Sequence, residues 1–380
     1  MNVAYVTTYD ARDVRNWSGI ARHAGDALER AGLRLSYFGP LAFEEPVAVK
    51  VHRLITTRLL RQSYDPERHP GVAKRYALQI DERLERSDAD CVLSLGTIPI
   101  AFSQCSQRIA FWTDATFAGL TQLYPGFQNA SRETLRYGNA LEQTALDRCA
   151  IAIYASEWAA RTASENYRVD PAKIRVVPFG PNRAEDKSAA KVQELIERRP
   201  NSPCRLLFLG VDWERKGGPL ALEIAAELVR RGVATELHIA GCNPRFEVEP
   251  SYVVRHGFID KNEPSGAAKI DGLLGDSHFL LLPTRAECFG LVFLEASSLG
   301  VPSLATDVGG VPSAVRNDRN GRLFSFSAPA NEYADHIQYL MINSDLYQNL
   351  ARSSYEEYSQ NLTWDRAATS VRGILGSMVL

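Results

Sequence analysis

A run of short apolar segments alternating with longer amphipathic ones constrains this chain most, because the alternation occurs twice. In the amino-terminal half Val3–Thr8, Leu33–Phe38, Cys91–Leu95, Ile109–Trp112 and Ala150–Ala155 read as buried strands. Ser18–Ala31 between them has helical spacing through Ile20, Ala24, Ala27, Leu28 and Ala31, and Gly32 follows as a stop. The half closes at Val176–Gly180 in VVPFGPN. The segment Lys187–Ser202, rich in Lys, Glu, Arg and Ala, reads as a solvated helix and linker. The alternation then restarts: strands at Arg205–Leu209, Glu236–Ala240, Tyr252–Gly257, His278–Leu282 and Pro302–Thr306, helices at Gly218–Arg231 and Leu291–Leu299. Strand and helix in strict succession argue parallel sheets covered on both faces. The expected fold class is α/β, with two Rossmann-like, doubly wound domains facing a cleft. The expected divisions are 1–187, 188–360 and a last helix, 361–380, returning to the first domain. A length of 380 residues suits two cores.

Composition matters mainly for what it excludes. A formal net charge of −2 offers no global attraction for nucleic acid. No apolar run reaches the roughly 18 residues of a membrane span, and MNVAYVTTYD lacks the pattern of a signal peptide. Six cysteines without a CxxC pair favour reduced thiols and a cytoplasmic location. Between Lys50 and Arg75 seven Lys or Arg face only Asp65 and Glu67. With Leu54, Ile55, Leu59 and Leu60 among them, residues 50–75 are a candidate for peripheral contact with the anionic inner face of a membrane, a solvated amphipathic helix being the alternative.

Open parallel sheets bind ligands beyond the carboxyl ends of their strands. Two loops stand at such places. In LLFLGVDWERKGGPLAL a strand ends at Gly210, a helix begins after Gly218, and Arg215 and Lys216 lie just ahead of that helix. A helix amino terminus favours anions, and two cations reinforce it. In PTRAECFGLVFLEASSLGVP another strand runs into a glycine turn and a helix, with Glu287 before the turn and Glu295 eight positions on. The amides of Phe289, Gly290 and Leu291 should face outward at that helix start, so they are candidates for a second anion contact. A carboxylate among Leu, Val and Phe costs several kcal/mol unless satisfied. Either the chain satisfies the two glutamates, with Glu295 capping a neighbouring backbone and Glu287 an exposed loop acid, or a ligand rich in hydroxyls, with phosphates between, satisfies both; the nearby Arg215 and Lys216 favour the ligand. Neither a Walker loop nor GxGxxG is present, so a nicotinamide cofactor has no support.

These motifs resemble the family-4 glycosyltransferases of the retaining GT-B class. The resemblance rests on LFLGVDWERKGG, LHIAG, VRHGFID and PTRAECFGLVFLEASSLGVPSLATDVGGVPSAV, covering about residues 203–325, and more loosely on SGIARHAGDALERAG, FWTDATF, IYASEWAA and VVPFGPN. It implies transfer of a hexosyl group from a nucleotide-diphosphate sugar to a carbohydrate, lipid-linked or small-molecule acceptor. Cations and helix amides can stabilise the leaving diphosphate, and no histidine cluster stands in the sequence, so no metal or other cofactor is expected. Arg215 and Lys216 would hold the diphosphate, joined by Gly19 and Arg183. Glu287 would contact the transferred sugar and Glu295 the ribose, with Gly241, Phe258 and Ile259 near the nucleotide. Asp114 would face the acceptor, with Thr113 standing where many relatives have histidine. An epimerase or phosphorylase of the same fold and a non-catalytic carbohydrate-binding subunit stay open as alternatives, as do the base, the sugar and the linkage formed.

Overall fold

The computed structural model describes residues 1–183 and 187–379. The chain forms two compact units, one of Met1–Phe179 together with the helix that begins at Trp364, the other of Gly180–Thr363.

In the first unit β1 (Asn2–Val6), β2 (Arg34–Tyr37), β3 (Cys91–Ser94), β4 (Arg108–Thr113), β5 (Ile151–Tyr154) and β6 (Ile174–Val176) form one parallel sheet. Its order is β2-β1-β3-β4-β5-β6. The central strands are apolar along their length because helices cover both faces of the sheet. These helices are α1 (Ile20–Arg30), α2 (Val47–Leu54), α3 (Pro70–Leu84), α4 (Phe117–Leu123), α5 (Arg132–Arg148) and α6 (Glu157–Asn166). Ile80, Ile109, Phe111, Leu146 and Tyr154 lie in one buried cluster. Side-chain oxygens of Thr116, Ser131 and Ser156 accept from Gly119, Thr134 and Ala159 amides and so start α4, α5 and α6.

In the second unit β7 (Cys204–Leu209), β8 (Thr235–Ala240), β9 (Val253–Gly257), β10 (Phe279–Leu282), β11 (Ser303–Thr306) and β12 (Gly321–Phe324) make a parallel sheet of order β12-β11-β10-β7-β8-β9. Its helices are α7 (Ala189–Arg198), α8 (Gly218–Arg230), α9 (Pro264–Asp276), α10 (Leu291–Ser297), α11 (Val311–Ala314), α12 (Ala330–Ile342) and α13 (Ser344–Asn361). The last helix, α14 (Trp364–Val379), packs on α1 in the first unit. There Arg30 pairs with Asp365 at 2.8 Å and Arg372 Nη1 donates to the Ala31 carbonyl at 2.7 Å. Each sheet reverses its winding once, between β1 and β3 and between β7 and β10. Loops leaving the carboxyl ends of those strand pairs frame the crevices where doubly wound sheets take ligands.

Three local expectations need correction. The helix expected from Ser18 starts only at Ile20, because Trp17, Ser18 and Gly19 all have positive φ (43°, 56° and 85°). Residues 187–202 are not a solvated linker: Val192, Leu195 and Ile196 of α7 are buried. Arg199, one position past the helix, is 7% exposed and donates to the carbonyls of Gly275, Leu299 and Gly300. The apolar residues recur at i, i+3 and i+4 beneath a charged outer face, and abundant Lys and Glu hid that inner line. Residues 50–75 do not form one amphipathic helix. They hold the end of α2, a π-helical turn over Ile55–Leu59 and the first part of α3. Among the described residues no helix is long and apolar enough to cross a membrane.

Candidate active site

The loops after β7 and β10 meet at the winding reversal of the second sheet. Gly217, at φ 78°, caps α8, and a Cβ there would stand 1.9 Å from the Pro283 carbonyl oxygen. Only glycine permits that approach. Two hydrogen bonds lock the loops together: the Arg285 amide donates to the Arg215 carbonyl at 2.8 Å, and Thr284 Oγ1 to the same oxygen at 3.2 Å. The result places Lys216 Nζ in direct contact with the Glu287 carboxylate. Arg215 Nη1 lies 3.7 Å from the same carboxylate oxygen and donates to the Ala286 carbonyl at 2.7 Å. The Lys216 and Glu287 side chains are only 12% and 11% exposed. Asp212, 3.4 Å from Arg215, is 48% exposed. Its charge is largely screened by water, so the buried part of the cluster holds two cations and one carboxylate. The Gly310 amide, from the loop after β11, fixes the Glu287 backbone at 3.0 Å.

Gly290 caps α10 at φ 91°. Among the described residues no hydrogen bond takes the amides of Gly290 or Leu291, while Phe289 is buried. Glu295 sits on the fifth residue of α10 and is 7% exposed. Its Oε1 lies 3.6 Å from Lys261 Nζ. Both buried glutamates therefore have a lysine partner within the chain, where the sequence pointed to a ligand for both. Gly241 (φ 92°) presses the loop after β8 onto Gly210, a Cβ there standing 2.8 Å from the Gly210 carbonyl oxygen. Beyond β9, Phe258 is exposed and Ile259 half-buried. Arg183 is elsewhere in this unit: Nη2 pairs with Asp271 of α9 at 2.9 Å, and its buried Nε and Nη1 have no hydrogen-bond partner among the described residues. Arg215, Lys216, Glu287 and Gly290 thus come together, Glu295 and Lys261 form a second pair, and Arg183 is held on α9. Lys261 was missed; its only signal is a cation three positions after Phe258 in HGFIDKN.

Gly19 and Asp114 belong to the first unit. Gly19 is buried at the start of α1, and Trp17 ahead of it packs edge-on against Phe179, ring centroids 5.6 Å apart. Asp114 follows β4 and faces Tyr9, whose phenol is pushed above its ordinary range by burial and by the Asp114 charge. Glu142 on α5 is a further buried acid, 2% exposed. It accepts from Thr97 Oγ1 at 2.7 Å, and its other oxygen has no hydrogen-bond partner among the described residues. Burial pushes its carboxyl up to about 7, against the pull of Thr97, Arg68 and the Phe117 amide. Thr97 follows β3 and Phe117 opens α4 after β4, so Glu142 ties together two loops beside the winding reversal. The helical pattern of Leu141, Glu142, Ala145 and Leu146 carried the signal, an acid on the apolar stripe. Among the described residues no three His, Cys, Asp or Glu side chains stand close enough to hold a metal ion.

Residues 192–357 match the family model of the glycosyl transferases group 1. The chain is 29% identical over 194 residues to the D-inositol 3-phosphate glycosyltransferase of Streptomyces coelicolor, covering 51% of this chain and 37% of that protein. Matches to the curated relatives span about half their length or less. Sucrose-phosphate synthase from Thermosynechococcus elongatus superposes with a TM-score of 0.70 at 15% identity, over 99% of this chain and 98% of that one. Anabaena Alr3699/HepE, solved with UDP, gives 0.62 at 14% identity, over 99% and 100%. These likenesses establish the fold as GT-B, with two Rossmann-like parallel sheets.

Proposed function

We propose that the chain is a retaining glycosyltransferase, moving a hexosyl group from a nucleoside-diphosphate sugar to an acceptor hydroxyl on a carbohydrate, a lipid-linked glycan or a small molecule. Several findings support this reading: the match to group 1 glycosyl transferases over residues 192–357, the glycosyltransferases among its relatives, and a structural neighbour that holds UDP. The observation that carries it is the Lys216–Glu287 contact with Arg215 at 3.7 Å, at the winding reversal of the second sheet.

In this reading the bond from the anomeric carbon to the diphosphate oxygen breaks, with the electron pair leaving on the diphosphate. The sugar passes through an oxocarbenium-like state. Arg215, Lys216 and the amino terminus of α8 stabilise the growing negative charge; preorganised groups of this kind supply the largest catalytic contribution in many enzymes. They would do so without a metal ion. Donor binding exchanges partners: the diphosphate takes Lys216 and Arg215, and Glu287 turns to a sugar hydroxyl. Each buried charge then keeps a partner, so the desolvation cost is met in both states. Glu295 would take the ribose, with Lys261 beside it, and Gly241, Phe258 and Ile259 would line the nucleotide. Gly19 would approach the phosphates and Asp114 would orient the acceptor hydroxyl, whose oxygen bonds to the anomeric carbon as its proton passes to the departing diphosphate oxygen. Arg183, with two buried donors that have no partner among the described residues, is a further candidate for the phosphates.

The test begins with a thermal-shift screen of UDP, GDP and ADP and their common hexoses, which should single out one donor. With that donor, Lys216→Ala should lower kcat/KM about a thousandfold, within the range for loss of one preorganised charge, while circular dichroism stays that of the wild type. Turnover near the wild-type rate would remove the assignment.

A further inference from the structure

Helix α2 and the π-helical turn that continues it run from Val47 to Leu59, and across that length only Val49 and Thr56 are buried. These two mark the inward line. Val47, Val51 and Leu54 share the opposite face with Ile55 at its edge, and Leu59 and Leu60 follow at the end of the turn; all are exposed, Val47 by 78% and Leu59 by 75%. Among the described residues, seven of the seventeen exposed large apolar side chains fall between Phe43 and Leu60. Apolar surface concentrated in this way marks an interaction site, whereas scattered single side chains do not.

The charges around the stripe say what it meets. From Val47 to Gln62 the chain contains no Asp or Glu, and Lys50, Arg58 and Arg61 are exposed. Nearby acids are turned to other partners: Glu45 pairs with Arg53 at 2.8 Å, Glu44 with Arg75 at 2.6 Å, and Glu133 with His52. At 100° per residue Lys50 falls on the flank of the line of Val47, Val51 and Leu54, and Arg58 and Arg61 are exposed in and just after the π-helical turn that continues it. Long basic side chains among aliphatic ones can reach past the apolar surface to an anionic layer. A bilayer with anionic headgroups offers an apolar layer beneath a negative one, the complement of this face.

We propose that α2 and its π-helical extension dock the first unit on an anionic lipid surface, with Val47, Val51, Leu54, Ile55 and Leu59 at the acyl boundary and Lys50, Arg58 and Arg61 among the headgroup phosphates. The inference stands on exposure and charge alone and is independent of the transfer reading.

Sedimentation of the full chain with vesicles tests it. Vesicles of three parts phosphatidylcholine to one part phosphatidylglycerol should carry the protein down, and pure phosphatidylcholine should bind it roughly 100-fold more weakly, as three basic groups near the surface imply. The triple variant Val51→Glu, Leu54→Glu, Leu59→Glu should lose binding to both. The variant Lys50→Gln, Arg58→Gln, Arg61→Gln should lose the preference for anionic vesicles. Both should melt at the wild-type temperature, since the altered side chains are exposed. Wild-type protein left in the supernatant with both vesicles, or equal binding to both, would overturn the proposal. So would size-exclusion showing a self-associated wild type that the aliphatic variant converts to monomer; the face would then join copies of the chain.

Discussion

At the winding reversal of the second sheet the two crevice loops are joined by side-chain charge: Lys216 from one reaches Glu287 from the other, with Arg215 beside them. At the corresponding reversal of the first sheet the loop after β1 carries a left-handed Trp17-Ser18-Gly19 turn. The loops after β3 and β4 are tied there by one buried acid, Glu142. One crevice concentrates buried opposite charge, the other is shaped by backbone, with Asp114 following β4. Under the proposed function the same topology would separate two tasks, charge stabilisation on one sheet and positioning on the other.

That comparison can be broken or sharpened by variants in descending order of effect. The loss at Lys216 should be the largest in the molecule, and Asp114→Asn should not approach it. Glu295→Ala should weaken nucleotide binding about tenfold to a hundredfold by calorimetry, the range for a hydrogen bond to a charged group, with the acceptor KM unchanged. Unchanged nucleotide affinity would count against its ribose role. Asp114→Asn should raise the acceptor KM about tenfold and leave the donor affinity alone; a donor effect of equal size would erase the distinction between the crevices. A last prediction concerns stability and pH, not transfer. A carboxyl raised from its ordinary value to about 7 makes the folded state hold the extra proton, so its contribution to stability falls as pH rises toward 7 and is level above. The melting temperature of the wild type relative to Glu142→Gln should therefore decline through that window. A flat difference would mean that the buried acid titrates as it does in the unfolded chain.

How far the sequence could be read follows the same division. Parallel sheets were legible because buried strands are apolar along their whole length. The charged crevice was legible because acids within an apolar run are costly to bury unpartnered, and cations just ahead of a helix add to the positive end of its dipole. The pairing of those acids with lysines was not, although Lys216 itself stood out ahead of its helix. Lys216 is far from Glu287 in sequence, and Lys261 sits in a loop with no pattern, so the pairing emerges only when β7, β9 and β10 are brought together. The left-handed turn at Trp17 was hidden because nothing in an NWSG string demands positive φ at a tryptophan. Helix α7 was misread because its charged outer face outnumbers the three buried residues within it.

The central claim is that the diphosphate competes with Glu287 for Lys216. Calorimetry of the preferred nucleoside diphosphate, without sugar, against wild type and Glu287→Gln tests it most directly. Removing the competing carboxylate should tighten binding about tenfold while transfer from the intact donor falls about a hundredfold, since one charge-assisted contact governs each. Weaker binding of the diphosphate by Glu287→Gln, or none of it by the wild type, would contradict the exchange.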